Sequence, residues 1–170
     1  MSKIFKYVKL PLIVVLALVM QIIVANNFEI FGVTPNIVLV TIVIVSMWND
    51  MTTSVIISCL IGIGADFIFH FNIGQSFISY LVIAVCISFI SKKYRKDSKA
   101  AIVYITIMAT LVLATFQYIY YAVDTGMLVN VLSVLKQTVV ELLLNIGVSY
   151  ILYKVFEKSM KNRELDNIYM

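Results

Sequence analysis

From about residue 10 to residue 153 the chain is a succession of apolar runs, and the runs are continuous rather than alternating. That feature removes most folds. The strands of a membrane barrel alternate apolar and polar residues, so unbroken runs exclude a barrel. An ordinary soluble domain is roughly 45–50% apolar and about 25% charged. This chain is 62% hydrophobic and 13% charged over 170 residues. A chain of that size has too little interior to hide so much apolar surface from water. What remains is an all-α membrane protein, in which each helix satisfies its own backbone polar groups. The length predicts a single polytopic domain, residues 1–170, with no soluble domain of useful size beside it.

The net charge of +4 does not point to nucleic acid, because of where the basic residues lie. They group as Lys3, Lys6, Lys9; then Lys92, Lys93, Arg95, Lys96, Lys99; then Lys154, Lys158, Lys161, Arg163; only Lys136 stands apart. Basic clusters flanking apolar runs mark cytoplasmic ends. Cys59 and Cys86 both sit inside apolar runs without a partner at metal or redox spacing, and read as packing residues.

Six spans are expected, at about 10–28, 35–48, 52–69, 74–91, 101–121 and 132–153. The first is too long for the roughly 7–15 residue core of a signal peptide, and Ile23-Val24-Ala25 is no small-x-small cleavage site. The second, opened by Pro35, is short against the about 20 residues a bilayer core needs. Charge parity settles it. If this segment crosses, every Lys and Arg except Lys136 falls on one side; if it does not, the second and third clusters land outside. The crossing arrangement puts both termini in the cytoplasm and Trp48 at the inner interface. Tyr118, Tyr120 and Tyr121 then form an aromatic belt at the outer one.

Two acids lie deep in these spans, where a carboxylate is expensive unless it faces protein or water. Asp66 ends a stripe with Ser54, Ser58 and Gly62, small residues one turn apart that let a second helix approach closely. Glu141 shares a face with Thr138, Asn145 and Ser149, roughly 13 Å into the sixth span. At comparable depth in the outer half lie Gln21, Gln75 and Gln117, with His70 and Lys136 near the outer edge. The expectation is an interior polar patch or cleft. Its helix-packing or partner-binding candidates are Ser54, Ser58, Gly62, Asp66, Gln75, Gln117, Glu141 and Asn145. His70 reads as an interface residue, since no second His or Cys completes a metal site. The serines of the fourth span, Ser76, Ser79, Ser88 and Ser91, read as packing residues. No nucleophile–base arrangement, phosphate loop or HExxH-type motif is legible, so no enzyme, cofactor or metal is expected.

The order of features resembles the bacterial rod-shape-determining MreD family. The short second span follows Thr34-Pro35-Asn36. The glycine-containing third span ends in an acid, Gly62-Ile63-Gly64-Ala65-Asp66-Phe67. A turn leads into Ile73-Gly74-Gln75-Ser76-Phe77. Phe69-His70-Phe71 departs from the leucine- and glycine-rich pattern that would follow the acid in that family. The resemblance implies a non-enzymatic scaffold of the bacterial inner membrane. It would associate with an MreC-like bitopic protein, and through it with MreB and the RodA/class B penicillin-binding synthase, in lateral peptidoglycan synthesis and cell shape. It also implies a compact bundle similar to the S-component of energy-coupling-factor transporters. A vitamin-binding S-component is therefore the alternative. The loop between the first two spans, only residues 29–34, and the lack of a small-residue ladder on the first span favour the scaffold. A proton- or ion-conducting protein would rest on Asp66 and Glu141 alone, without the relay partners it needs.

Overall fold

The computed structural model describes residues 2–69, 74–91, 99–126 and 130–168, and side chains between residues 11 and 155. The expected role of His70 and the inner loop basic cluster at 92–98 lie outside the described residues. Among the described residues there are six helices: α1 (Ser2–Asn27), α2 (Ile37–Trp48), α3 (Met51–Phe69), α4 (Gln75–Ile90), α5 (Lys99–Thr125) and α6 (Val131–Ile168). Among the described residues there are no strands, only an isolated bridge pairing Ile30 with Val33. That bridge closes a two-residue turn, Phe31-Gly32, with positive φ at both positions (54° and 78°).

Among the described residues three helical stretches are long and apolar enough to cross a bilayer: Met51–Phe69, Lys99–Thr125 and Val131–Val155. The others are apolar but shorter. The shortest, α2, has 12 residues and holds the centre. Its residues from Ile37 to Met47 are all buried, and it packs against each of the five other helices. At 1.5 Å per residue it is about 18 Å long, well short of the roughly 30 Å hydrocarbon core. A helix that ends inside a membrane protein must have its free backbone groups satisfied by protein or by a water-lined cavity. Packing and capping therefore constrain α2 far more than lipid does.

The start of α2 differs from the expected one. The helix begins at Ile37, with Asn36 as N-cap, so Pro35 lies just outside it. Asn36 Oδ1 accepts the Leu39 N–H at 2.8 Å. A side-chain acceptor on an orphan amide outweighs the preset φ of proline in fixing where a helix begins.

The core runs from Val14 and Ala17 of α1 through α2 to Ile57 and Ile61 of α3, Ile83 and Ala84 of α4, and Ile102 and Ile105 of α5. Outer faces are apolar and uncovered, as lipid-facing surfaces are. The most uncovered is α6: 6% of its apolar window is buried, against 44% for α3.

Candidate functional site

The two short helices, α2 and α4, both begin in the interior, and both beginnings are capped by side chains from their neighbours. The first four N–H groups of a helix have no partner within it. At α4 the N-cap is Gly74, at φ +113° and ψ −17°, and it has no side chain with which to cap. Asp66 of α3 does so from across the hairpin. Its Oδ2 accepts the N–H of Gly74 at 2.8 Å and of Phe77 at 3.2 Å. Its Oδ1 accepts the N–H of Ser76 at 2.8 Å. Asp66 is 0% exposed, so these bonds replace hydration, and the negative charge sits at the positive end of the α4 dipole.

Gly62, one turn earlier, makes this reach possible. A Cβ there would lie 2.6 Å from Phe77 Cα and 3.2 Å from the Ser76 carbonyl oxygen. The α4 backbone occupies the space that any side chain would need. Gly64 borders a side chain instead: its Cβ would meet Leu18 Cδ1 of α1 at 2.6 Å. Ser54 and Ser58 are buried further down the Gly62 stripe; Ser54 donates to the carbonyl of Asp50, just before α3, and Ser58 to that of Val55 within it.

At α2 the four amides from Asn36 to Leu39 are all taken. Besides the Asn36–Leu39 bond, Gln21 Oε1 of α1 accepts Ile37 N–H at 2.7 Å and Val38 N–H at 3.4 Å. The Gln21 amide donates to the Pro35 carbonyl at 3.2 Å. Asn145 Oδ1 of α6 accepts the Asn36 N–H at 2.7 Å, and its amide donates to Thr110 Oγ1 of α5 at 3.2 Å. Asn145 is fully buried. One residue thus ties α6, α5 and the start of α2 together.

Between these two starts lies a polar cavity of about 370 Å³. Gln21, Asn36, Gln75, Tyr80, Gln117 and Glu141 line it, along with Gln137 and apolar residues such as Phe69 and Leu113. A second cavity, about 300 Å³, sits between α5 and α6 and shares Gln117, Gln137 and Glu141 with the first. Glu141 is half-buried, and its near neighbours are the amides of Asn145 and Asn36. So the structure gathers Gln21, Gln75, Gln117 and Glu141 around one space and leaves Asp66 out of it. Asp66 lies behind the wall, engaged with α4. Lys136 lines an adjoining, mostly apolar cavity with Phe31, and this cavity shares Val33 and Gln137 with the first.

Asn36, Tyr80 and Thr110 belong to this polar interior, and Gln137 borders it from an exposed position; none was singled out from sequence. For Asn36 the signal was present: an Asn before an apolar run is an N-cap signature. Thr110 and Tyr80 carry no such mark.

At the other end of the bundle Trp48 packs against Tyr153 at 6.4 Å between ring centroids. There Trp48 Nε1, like Ser46 Oγ and Ser88 Oγ, is buried without a hydrogen-bond partner among the described residues.

The arrangement is that of a helical membrane protein whose polar interior fixes the starts of two helices. Among the described residues no group of His, Cys, Asp and Glu could hold a metal ion. The family model for the rod shape-determining protein MreD matches residues 1–163. The chain belongs to this family of shape-determining membrane proteins. Neither a search of curated proteins nor one of solved structures finds a match.

Proposed function

We propose that the chain is a non-enzymatic, multi-pass scaffold of the bacterial cytoplasmic membrane that maintains cell shape. It would couple an MreC-like bitopic protein, and through it MreB and the RodA/class B penicillin-binding synthase, to lateral peptidoglycan synthesis. On this reading all six helices cross, α2 within the bundle, both termini are cytoplasmic, and the bundle is of the S-component kind. The family match over residues 1–163 carries the proposal.

The geometry supports it in two respects. Asp66, Gly62 and Asn145, with Ser54 and Ser58, serve the chain's own helix packing, which favours a stiff body over a moving one. The long and largely uncovered α6 offers a partner's transmembrane helix the most surface to pack against. Association in lipid is driven by such packing and by interhelical hydrogen bonds. Gln75, Gln117 and Glu141 are the remaining candidates for partner contact.

Co-purification of the tagged full chain from its own bacterial membranes tests the proposal. An MreC-like bitopic protein is expected, with rounding of cells when the chain is depleted. Recovery of ATPase subunits or a bound vitamin, with unchanged cell shape on depletion, would overturn it in favour of the transporter.

A further inference from the structure

The start of α5 and the later turns of α6 meet at the end of the bundle away from the polar cavities. In the sequence, Lys and Arg outnumber acids five to one from residue 92 to 99 and four to one from residue 154 to 163. Two of these lysines converge. Lys99 opens α5, Lys154 lies on α6, and their ammonium groups stand over one ring, that of Tyr150, at 6.0 and 5.0 Å from its centre. Lys154 is four residues from Tyr150 and shares its face of α6. Lys99 comes from the neighbouring helix, so the cluster is tertiary. All three residues are exposed.

Helix packing does not account for this convergence. Two like charges around one ring repel each other. Among the described residues no carboxylate pairs with either ammonium, and none accepts the Tyr150 hydroxyl. Lys99 also faces the positive end of the α5 dipole, with no acid in the first turn of that helix. The complement is an anion that accepts several hydrogen bonds, and a phosphate diester accepts without donating. Two ammonium groups and a phenol O–H supply the donors. The apolar remainder of a lipid has a place beside them. Val139 and Leu143 lie on the same face of α6 as Tyr150, further into the span, and both are uncovered. An acidic peptide would answer the charges alone, whereas an amphiphile answers both the charges and the apolar flank.

We propose that Lys99, Lys154 and Tyr150 seat the phosphate of an anionic phospholipid whose acyl chains lie along the Val139 and Leu143 face of α6. A zwitterionic headgroup brings its own cation toward the two lysines and is disfavoured. The proposal rests on the reading that α5 and α6 cross the membrane with this end cytoplasmic, where anionic lipids gather. It does not depend on which protein the scaffold contacts, so failure to recover a bitopic partner and failure of lipid retention are separate results.

Native mass spectrometry of the full chain, released from vesicles of equal phosphatidylglycerol and phosphatidylethanolamine, tests it. The lipid that stays bound should be enriched in phosphatidylglycerol. The double variant Lys99→Gln/Lys154→Gln should lower that enrichment about tenfold; both side chains are exposed, so the fold is kept. Tyr150→Leu, which removes the ring and its hydroxyl, should lower it by a smaller factor. Lys6→Gln/Lys9→Gln removes the same charge from α1, which does not pack against α5 or α6, and should leave it unchanged. Absence of enrichment in the native chain overturns the proposal. So does enrichment that survives Lys99→Gln/Lys154→Gln, including the case where a co-purifying protein is lost instead, because the lysines then seat an acidic peptide. Equal loss in both double variants overturns it as well, since the lipid then answers a diffuse charge and not this cluster.

Discussion

Asp66 and Glu141 are both acids inside long apolar helices, yet they meet opposite surroundings. Asp66 is fully buried, and its oxygens accept three backbone N–H groups from the first turn of α4. Glu141 is half-buried beside two cavities, with amide side chains as its neighbours. Both lie in helices long and apolar enough to cross a membrane; what stands opposite differs. An acid facing the open start of a helix becomes part of the backbone bonding of the fold. An acid beside a cavity bonds flexible amide side chains instead of a helix backbone. The two should separate cleanly on substitution.

The largest effect is expected at Asp66. Asp66→Leu leaves the α4 amides buried without acceptors, a loss of about 3–5 kcal/mol by analogy with breaking a buried charged pair. Whole domains are stable by only about 5–15 kcal/mol, so this variant should be unfolded or nearly so. Asp66→Asn keeps one carbonyl oxygen and should fall between it and the native chain. Denaturation in rising SDS, followed by the fluorescence of Trp48, the single tryptophan, reads both. Native-like midpoints for Asp66→Leu would remove the distinction between the two acids.

Gly62 sharpens the Asp66 side of the comparison. Gly62→Ala forces a methyl against the α4 backbone and should destabilise by about 1–3 kcal/mol, the usual range for overpacking. Gly64→Ala meets only the end of the Leu18 side chain, which can swing away, and should lose less. Gly147→Ala has nothing within 4 Å to meet. It should be neutral or stabilise, since Ala outranks Gly in a helix by about 1 kcal/mol. A flat response across the three would mean that close approach at Gly62 does not hold the α3–α4 hairpin.

Asn145 tests the second capped start. Asn145→Leu leaves the Asn36 N–H without its acceptor, and an orphaned buried donor costs about 1–3 kcal/mol. The loss should appear as faster amide exchange at the start of α2, beyond a lower midpoint. Unchanged exchange there would show that Gln21 and Asn36 suffice.

Much of this was legible in the sequence, and the limits are physical. The helices follow from the length and continuity of the apolar runs, since a bilayer leaves the backbone few other solutions. The small-residue stripe at Ser54, Ser58 and Gly62 announced a close approach because helical spacing puts those positions on one face. Gln21, Gln75, Gln117 and Glu141 could be grouped by depth alone. Depth did not show that Asp66 turns away from them. That depends on where Gly74 begins α4, and so on the hairpin between α3 and α4, a three-dimensional fact. Nor did it show that α2 is wrapped by every other helix. A central helix and a lipid-facing one have the same composition when both solvents are apolar. Asn36 is the instructive case: its cap signature was in the sequence, but the proline beside it was the more conspicuous mark.

Among the polar substitutions the smallest stability effect is expected at Glu141, and it decides most. Gln keeps the length of the side chain and one carbonyl oxygen toward the amides of Asn36 and Asn145, so the internal contacts of α6 survive. The charge removed faces a cavity rather than a backbone donor. Glu141→Gln should therefore shift the SDS midpoint by less than about 1 kcal/mol, within the range of substitutions that break no buried network. Asp66→Asn, chemically the same exchange, should lose several times more. If the two amide variants are equally unstable, Glu141 is a structural acid like Asp66. If Glu141→Gln is stable yet fails to restore rod shape in cells depleted of the native chain, the open acid serves what the protein contacts, while the closed acid serves only its fold.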